Sequence, residues 1–282
     1  MILTRLVTGS ILLLLALRWF EHATLSRLAS PPLFHAEVDI TYWLFKDSGL
    51  PVFLIRHQAA AVIFDLLMFS SGLIAFLRPF NRVAILVFAV LLFLYGLTFN
   101  LFATHHLAQV AGFMVVLWPF VLRDNKKFGL AWEGMRYFTC FIYFTAFVWK
   151  AVPGHSLYDL HQGTVTFKAN LVDYLVQNPG GFITTVYRWC LRNPWLLDAG
   201  EKATVLLEGT MVIGFFTRKF DRYLIWVPVA IHVITYYFSD VFFIELLVVD
   251  LSLLSASQLE RIGSIFNVSN APGRQKKETS PR

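Results

Sequence analysis

Residues 59–103 read AAAVIFDLLMFSSGLIAFL-RPFNR-VAILVFAVLLFLYGLTFNLFA, and this stretch decides the fold. Two apolar runs, 59–77 and 83–103, each approach the roughly 20 residues that carry a helix across the hydrocarbon core of a bilayer. Arg78-Pro79-Phe80-Asn81-Arg82 separates them. Proline removes an amide donor and clashes with the preceding turn, and the flanking arginines keep the break in water. The stretch therefore reads as two antiparallel spans joined by a short polar turn.

The same alternation extends in both directions. Further apolar runs lie near 4–22, 107–122, 137–152, 202–217, 223–239 and 242–257. Arg123-Asp124-Asn125-Lys126-Lys127 closes the fourth run, and Arg218-Lys219-Phe220-Asp221-Arg222 divides the sixth from the seventh. Composition agrees: 57% of the 282 residues are hydrophobic and 15% charged, against about 25% charged in soluble domains. The expected fold class is all-α: a polytopic transmembrane helix bundle of about eight spans.

Lysine and arginine set the orientation. They crowd the short turns at 78–82, 123–127 and 218–222 and the tail beyond 257, whereas Arg27, Lys46, Arg56, Lys168, Arg188, Arg192 and Lys202 are spread over two long loops. The positive-inside rule then places both termini in the cytoplasm. The first run resembles a signal-peptide core over Leu6–Leu17, but Arg18-Trp19-Phe20-Glu21-His22 follows without a small-x-small cleavage site, so a retained helix is expected.

Two outer segments do not read as spans. Residues 25–58, with Pro31-Pro32 followed by mixed aromatics and charges, suggest an interfacial or re-entrant helix; 153–199, broken by Pro153-Gly154 and Pro179-Gly180-Gly181, suggest short helices capping the outer end. Residues 258–282 read as a polar, disordered cytoplasmic tail.

The net charge of +6 sits beside apolar runs and forms no basic stripe with stacking aromatics, which excludes nucleic-acid binding. Cys140 and Cys190 form no CxxC motif. The sequence contains no HExxH, P-loop, GxGxxG or GxSxG pattern. His105-His106 are adjacent and about 100° apart on a helix, so they do not chelate one ion as an i,i+4 pair would. His155, Asp159 and His161 fall in a loop, and no metal is expected.

Charged residues within spans demand a reason, since each costs about 2.5–3.5 kcal/mol at the bilayer centre on insertion scales. Asp65, Glu208 and His232 lie inside their runs and are expected to line a cavity. Arg18, Glu21, Glu201, Lys202 and Asp250 lie near helix ends and are expected to snorkel to water. Lys150 closes its run and reads either as an interfacial lysine or as a buried functional one. Glu201 and Glu208, seven apart, share a helix face; so do His232 and Tyr236, four apart, as a possible pair pointing into the bundle.

At the fifth run the chain resembles a known family. Tyr143-Phe144-Thr145-Ala146-Phe147-Val148-Trp149-Lys150, followed by a loop from His155 to Gly163, is similar to the Y-F-x-A-G-x-x-K-L helix of the HTTM family. That family comprises the membrane domain of vitamin K-dependent γ-glutamyl carboxylase and its bacterial relatives; DoxX-type quinone-associated subunits are neighbours. The resemblance runs in order through His105-His106, the glutamate-bearing segment Glu201–Arg222, His232 and Phe242-Phe243-Ile244-Glu245, and covers residues 1–257. It implies that Lys150 is the base acting on a reduced vitamin K-like quinone, with His105 and His106 at the same membrane face as further catalytic candidates. Phe147 stands in place of the motif glycine and Ala151 in place of its last leucine. No large lumenal domain follows residue 257, so protein γ-carboxylation is not expected. The resulting expectation is an enzyme or redox-associated subunit of the bacterial cytoplasmic membrane, acting on a quinone or other lipid-soluble molecule near the outer face. The alternative is a non-catalytic assembly, folding or transport component.

Overall fold

The computed structural model describes residues 2–28, 48–102, 111–239, 244–254, 258 and 261. Among them every regular element is helical. In chain order the helices are α1 (Ile2–Phe20), α2 (Leu50–Arg56), α3 (Gln58–Leu77), α4 (Arg82–Phe102), α5 (Ala111–Val115), α6 (Asn125–Ala151), α7 (Gln162–Gln177), α8 (Phe182–Arg192), α9 (Pro194–Thr210), α10 (Ile213–Phe216), α11 (Asp221–Leu224), α12 (Trp226–Ser239) and α13 (Ile244–Asp250). Three segments are long and apolar enough to cross a membrane: Ile2–Arg27, Gln58–Leu77 and Arg82–Phe99.

The hairpin of α3 and α4 forms where the sequence pattern puts it. The Asn81 side chain accepts from the Ala84 amide at 3.2 Å and starts α4 after the proline break. Gly72 of α3 lies against Phe88 of α4, where an added Cβ would come within 2.9 Å of the ring. These helices and α1 bury Val7, Ile11, Leu15, Met68, Phe88 and Leu92 in a common core. Their opposite faces expose Ile63, Leu66, Leu73, Leu77 and Val83. A continuous apolar exterior of this kind suits lipid and is costly in water.

Other runs fold differently from single spans. The 107–122 run contains α5 and a 3₁₀ turn, Trp118–Val121, where Pro119 prevents a longer helix. The 202–217 run is interrupted at Met211–Val212, between α9 and α10. By contrast α6 begins at Asn125, well before the apolar run at 137. Asp124 caps it by accepting the amides of Lys126 (2.6 Å) and Lys127 (3.4 Å).

The second half of the molecule packs α6 against α9, with α12 and α13 beside them, around Cys140, Tyr143, Met211, Ile231 and Leu246. The loop expected to hold short helices contains α7 and α8, which bury Phe167, Leu171, Tyr187 and Cys190 against Leu197 of α9. Asp198 of α9 supplies the N-terminal cap of α7, accepting from the Thr164 amide at 2.9 Å and its hydroxyl at 3.2 Å. Gly163 makes this junction possible, because a Cβ there would overlap the Leu197 backbone. The expected interfacial segment at 25–58 is described only at its ends, as a 3₁₀ turn, Leu25–Arg27, and α2; residues 29–47 and nearly all of the 258–282 tail lie outside the described residues.

Candidate functional site

Among the described residues three ion pairs with a buried carboxylate tie the helices together, and they differ in what surrounds them. Arg136 of α6 is 1% exposed; it donates to Asp221 at 2.7 and 2.8 Å and to the carbonyls of Gly214 (2.7 Å) and Thr217 (3.1 Å). These contacts satisfy the carbonyls left open where α10 ends, as a helix terminus requires. Arg18 of α1 donates to Glu245 of α13 and to the Tyr95 hydroxyl of α4 (2.7 Å), which in turn donates to the Ala23 carbonyl at 2.8 Å. The guanidinium also lies 4.5 Å from the Phe99 ring centre. Arg18 therefore does not snorkel. It is buried because Glu245 on another helix neutralises it, a partner that proximity to a helix end does not reveal.

The third pair, Lys150 and Glu208, lines a cavity of about 720 Å³ between α6, α7, α9, α12 and α13. That volume suits a drug-sized molecule. The Lys150 Nζ lies 2.5 Å from Glu208 Oε1, with side-chain exposures of 34% and 4% respectively. The lysine turns inward rather than snorkelling outward. Its partner helix α9 runs against α6, and Gly209 lets the two approach at Phe147. The second Glu208 oxygen, Oε2, is buried without a hydrogen-bond partner among the described residues.

A second polar group forms another wall. The Tyr143 hydroxyl, two turns below Lys150 on α6, lies 2.9 Å from His232 Nε2 on α12 and donates to Asp250 Oδ2 on α13 at 3.1 Å. All three residues are 2–3% exposed. Tyr143 and His232 line the cavity; Asp250 lies behind them. Phe138, Phe141, Ile142, Trp149, Ile231 and Leu246 make the apolar walls, and Glu201, Thr204, Thr166 and Asn170 add polar groups toward α7 and α9.

Lys150, Glu208 and His232 thus meet around one space, and Glu201 joins Glu208 there. Asp65 does not. Its carboxylate accepts the Ser26 amide at 2.9 Å, while Gln58 donates to the Ser26 carbonyl at 2.7 Å, so Asp65 fastens the turn after α1 to α3. His105 and His106 lie outside the described residues. The His232–Tyr236 pairing gives way to His232–Tyr143, because Tyr236 faces outward at 47% exposure. Asp250 does not reach water; at 3% exposure it is held inside by Tyr143. Sequence reasoning read Tyr143 only as part of a motif. Its spacing of seven from Lys150 was the available signal, since it puts both on one helix face.

Among the described residues no group of three His, Cys, Asp or Glu side chains could hold a metal ion. In the 153–162 loop, the Asp159 carboxylate instead accepts the His161 amide at 2.8 Å, and Lys202 donates to the Asp159 carbonyl at 2.9 Å. Chemically, the cavity offers an ammonium–carboxylate pair and a phenol–imidazole pair within apolar walls. It can hold an amphiphilic molecule by one polar end and exchange protons with it. No protein-family model, curated protein or solved structure matches the chain.

Proposed function

We propose that the chain is a multi-pass membrane protein of about eight spans, with both termini cytoplasmic, which binds a lipid-soluble molecule of the quinone or phenol class in the cavity beside Lys150. The observation that carries this reading is the inward-facing Lys150–Glu208 pair in an apolar-walled space, with Glu208 Oε2 buried and without a hydrogen-bond partner among the described residues. Lys150 engages the ligand's polar oxygen, the Phe141 and Trp149 side takes its apolar part, and His232 meets it from the opposite helix. The HTTM-like motif around Lys150 supports the same reading, as does the excess of basic residues in the short turns of the bacterial cytoplasmic side.

The experiment is extraction of protein purified in nanodiscs, with the released lipid-soluble compounds identified by mass spectrometry. A quinone or phenolic lipid is expected from wild type and is expected to be depleted from Lys150→Ala. Equal retention by both would remove Lys150 from the binding role. The second reading, a non-catalytic assembly component, is favoured by the Arg18–Glu245 and Arg136–Asp221 pairs, which join helices without facing this cavity. It predicts that no such compound is released.

A further inference from the structure

The buried acids of this chain have different partners, and one stands apart. Glu245, Asp221 and Glu208 each face a cation: Arg18, Arg136 and Lys150. Asp65 and Asp198 each accept a backbone amide. Asp250 is 3% exposed and among the described residues has neither; its one hydrogen bond there comes from the Tyr143 hydroxyl, and Oδ1 has no partner among them. A carboxyl that only serves packing gains from a counter-ion or an amide. Asp250 has instead the partner suited to passing a proton.

Valence counting sharpens this. Tyr143 has one hydroxyl hydrogen and two neighbours within bonding distance, His232 Nε2 at 2.9 Å and Asp250 Oδ2 at 3.1 Å. If Tyr143 donates to Asp250, then His232 must carry a hydrogen on Nε2 and donate to the tyrosine. If Tyr143 donates to His232, then Asp250 must carry the hydrogen and donate to the tyrosine. Both arrangements fit the same heavy-atom positions. Once a proton is delivered to His232 Nδ1, the first passes into the second by two short proton transfers and the imidazole ends neutral. The chain runs from a residue that lines the cavity to one that does not.

We infer that His232, Tyr143 and Asp250 form a proton relay that takes the hydroxyl proton of a phenolic ligand in the cavity and stores it on Asp250. The inference rests on the ligand reading proposed above. In the first arrangement the ligand O–H gives its proton to the unprotonated nitrogen of His232. Nε2 passes its hydrogen to the Tyr143 oxygen as the tyrosine hydrogen moves to Asp250 Oδ2. One ligand O–H bond breaks and one Asp250 O–H bond forms; no electron is transferred. The negative charge leaves Asp250 and appears on the ligand oxygen, where the Lys150 ammonium stabilises it. Lys150, donor-only while bonded to Glu208, keeps the oxyanion rather than accepting the proton. The other ionisable group on the cavity wall, Glu201, touches none of the three relay residues through a hydrogen bond.

The test uses full-length protein in nanodiscs and a para-nitrophenol carrying an alkyl chain, at a pH where the free probe is neutral. In wild type, bound probe is expected to show the visible phenolate band. The infrared difference spectrum is expected to gain the carbonyl band of a neutral carboxylic acid. Asp250→Asn and Tyr143→Phe are expected to bind the probe without phenolate formation and without the new carbonyl band. Loss of that band in Asp250→Asn assigns it to Asp250. Should Asp250→Asn misfold, Tyr143→Phe gives the same answer while keeping the ring in place. Phenolate formation in both relay variants at the wild-type level would overturn the relay, and so would a neutral probe bound to wild type; in either case the ligand site itself stands. A probe that does not bind to wild type overturns the ligand site and the relay with it.

Discussion

The Lys150 ammonium lies 2.5 Å from Glu208 Oε1, on helices α6 and α9, and both side chains face the same cavity. Burying two charges is costly unless they are well paired, and removing one partner leaves the other charged and unsolvated. Lys150→Ala should therefore lower the affinity for a phenolic probe at least about tenfold, or about 1.4 kcal/mol. Lys150→Ala/Glu208→Leu should regain thermal stability but not binding. Titration of the probe alongside a detergent melting curve checks both outcomes, and binding restored in the double variant would contradict the role of the pair.

The Arg136–Asp221 contact should behave as structure alone. Arg136→Leu leaves the Asp221 carboxylate only the 3.9 Å approach of Arg218 and strands the carbonyls of Gly214 and Thr217, at an expected cost of about 3 kcal/mol. Adding Asp221→Leu should return part of that loss. Reversible unfolding in mixed micelles measures the difference, with no expected effect of the double change on probe binding.

The α7–α9 junction makes a paired prediction. Gly163→Ala drives a Cβ into the Leu197 backbone, which cannot turn aside like a side chain, and should cost about 1–3 kcal/mol. Gly134→Ala meets open space on the exposed face of α6 and should be neutral or stabilising by about 0.8 kcal/mol. Asp198→Ala removes the cap from Thr164 and should cost about 1 kcal/mol. Melting temperatures that do not separate the two glycine variants would count against this junction.

Crossing by α6 can be read by labelling. Cys140 and Cys190 are buried and should resist a membrane-impermeant maleimide. Lys127, in the first turn of α6, and Lys168, on α7 beyond its end, are exposed and lie on opposite sides of the proposed span. Lys168→Cys should label in intact cells, and Lys127→Cys only after permeabilisation. Labelling of both in intact cells would refute the proposed orientation.

Much of the architecture was legible in the sequence. The runs at 59–77 and 83–103 match α3 and α4 closely because nothing competes with a continuous apolar helix bounded by proline and arginine. The polar first half of α6 was not legible from hydropathy. Helix continues there because Asp124 caps it and Arg136 finds its acid on a distant element. The site was partly legible: Lys150, Glu208 and His232 stood out as charges within spans, but Asp65 stood out equally and serves a turn instead.

By itself, the sequence determined that the chain is helical and suited to lipid, because apolar run length and basic flanks act locally and need no partner. Tertiary structure alone decided which buried charges pair and which face a cavity. Arg18 with Glu245, Lys150 with Glu208, and Tyr143 with His232 and Asp250 are separated by tens to hundreds of residues. Their partnerships follow from how α1, α4, α6, α9, α12 and α13 pack. In an apolar medium each buried polar group must find its partner across helices, and no local pattern specifies which one that will be.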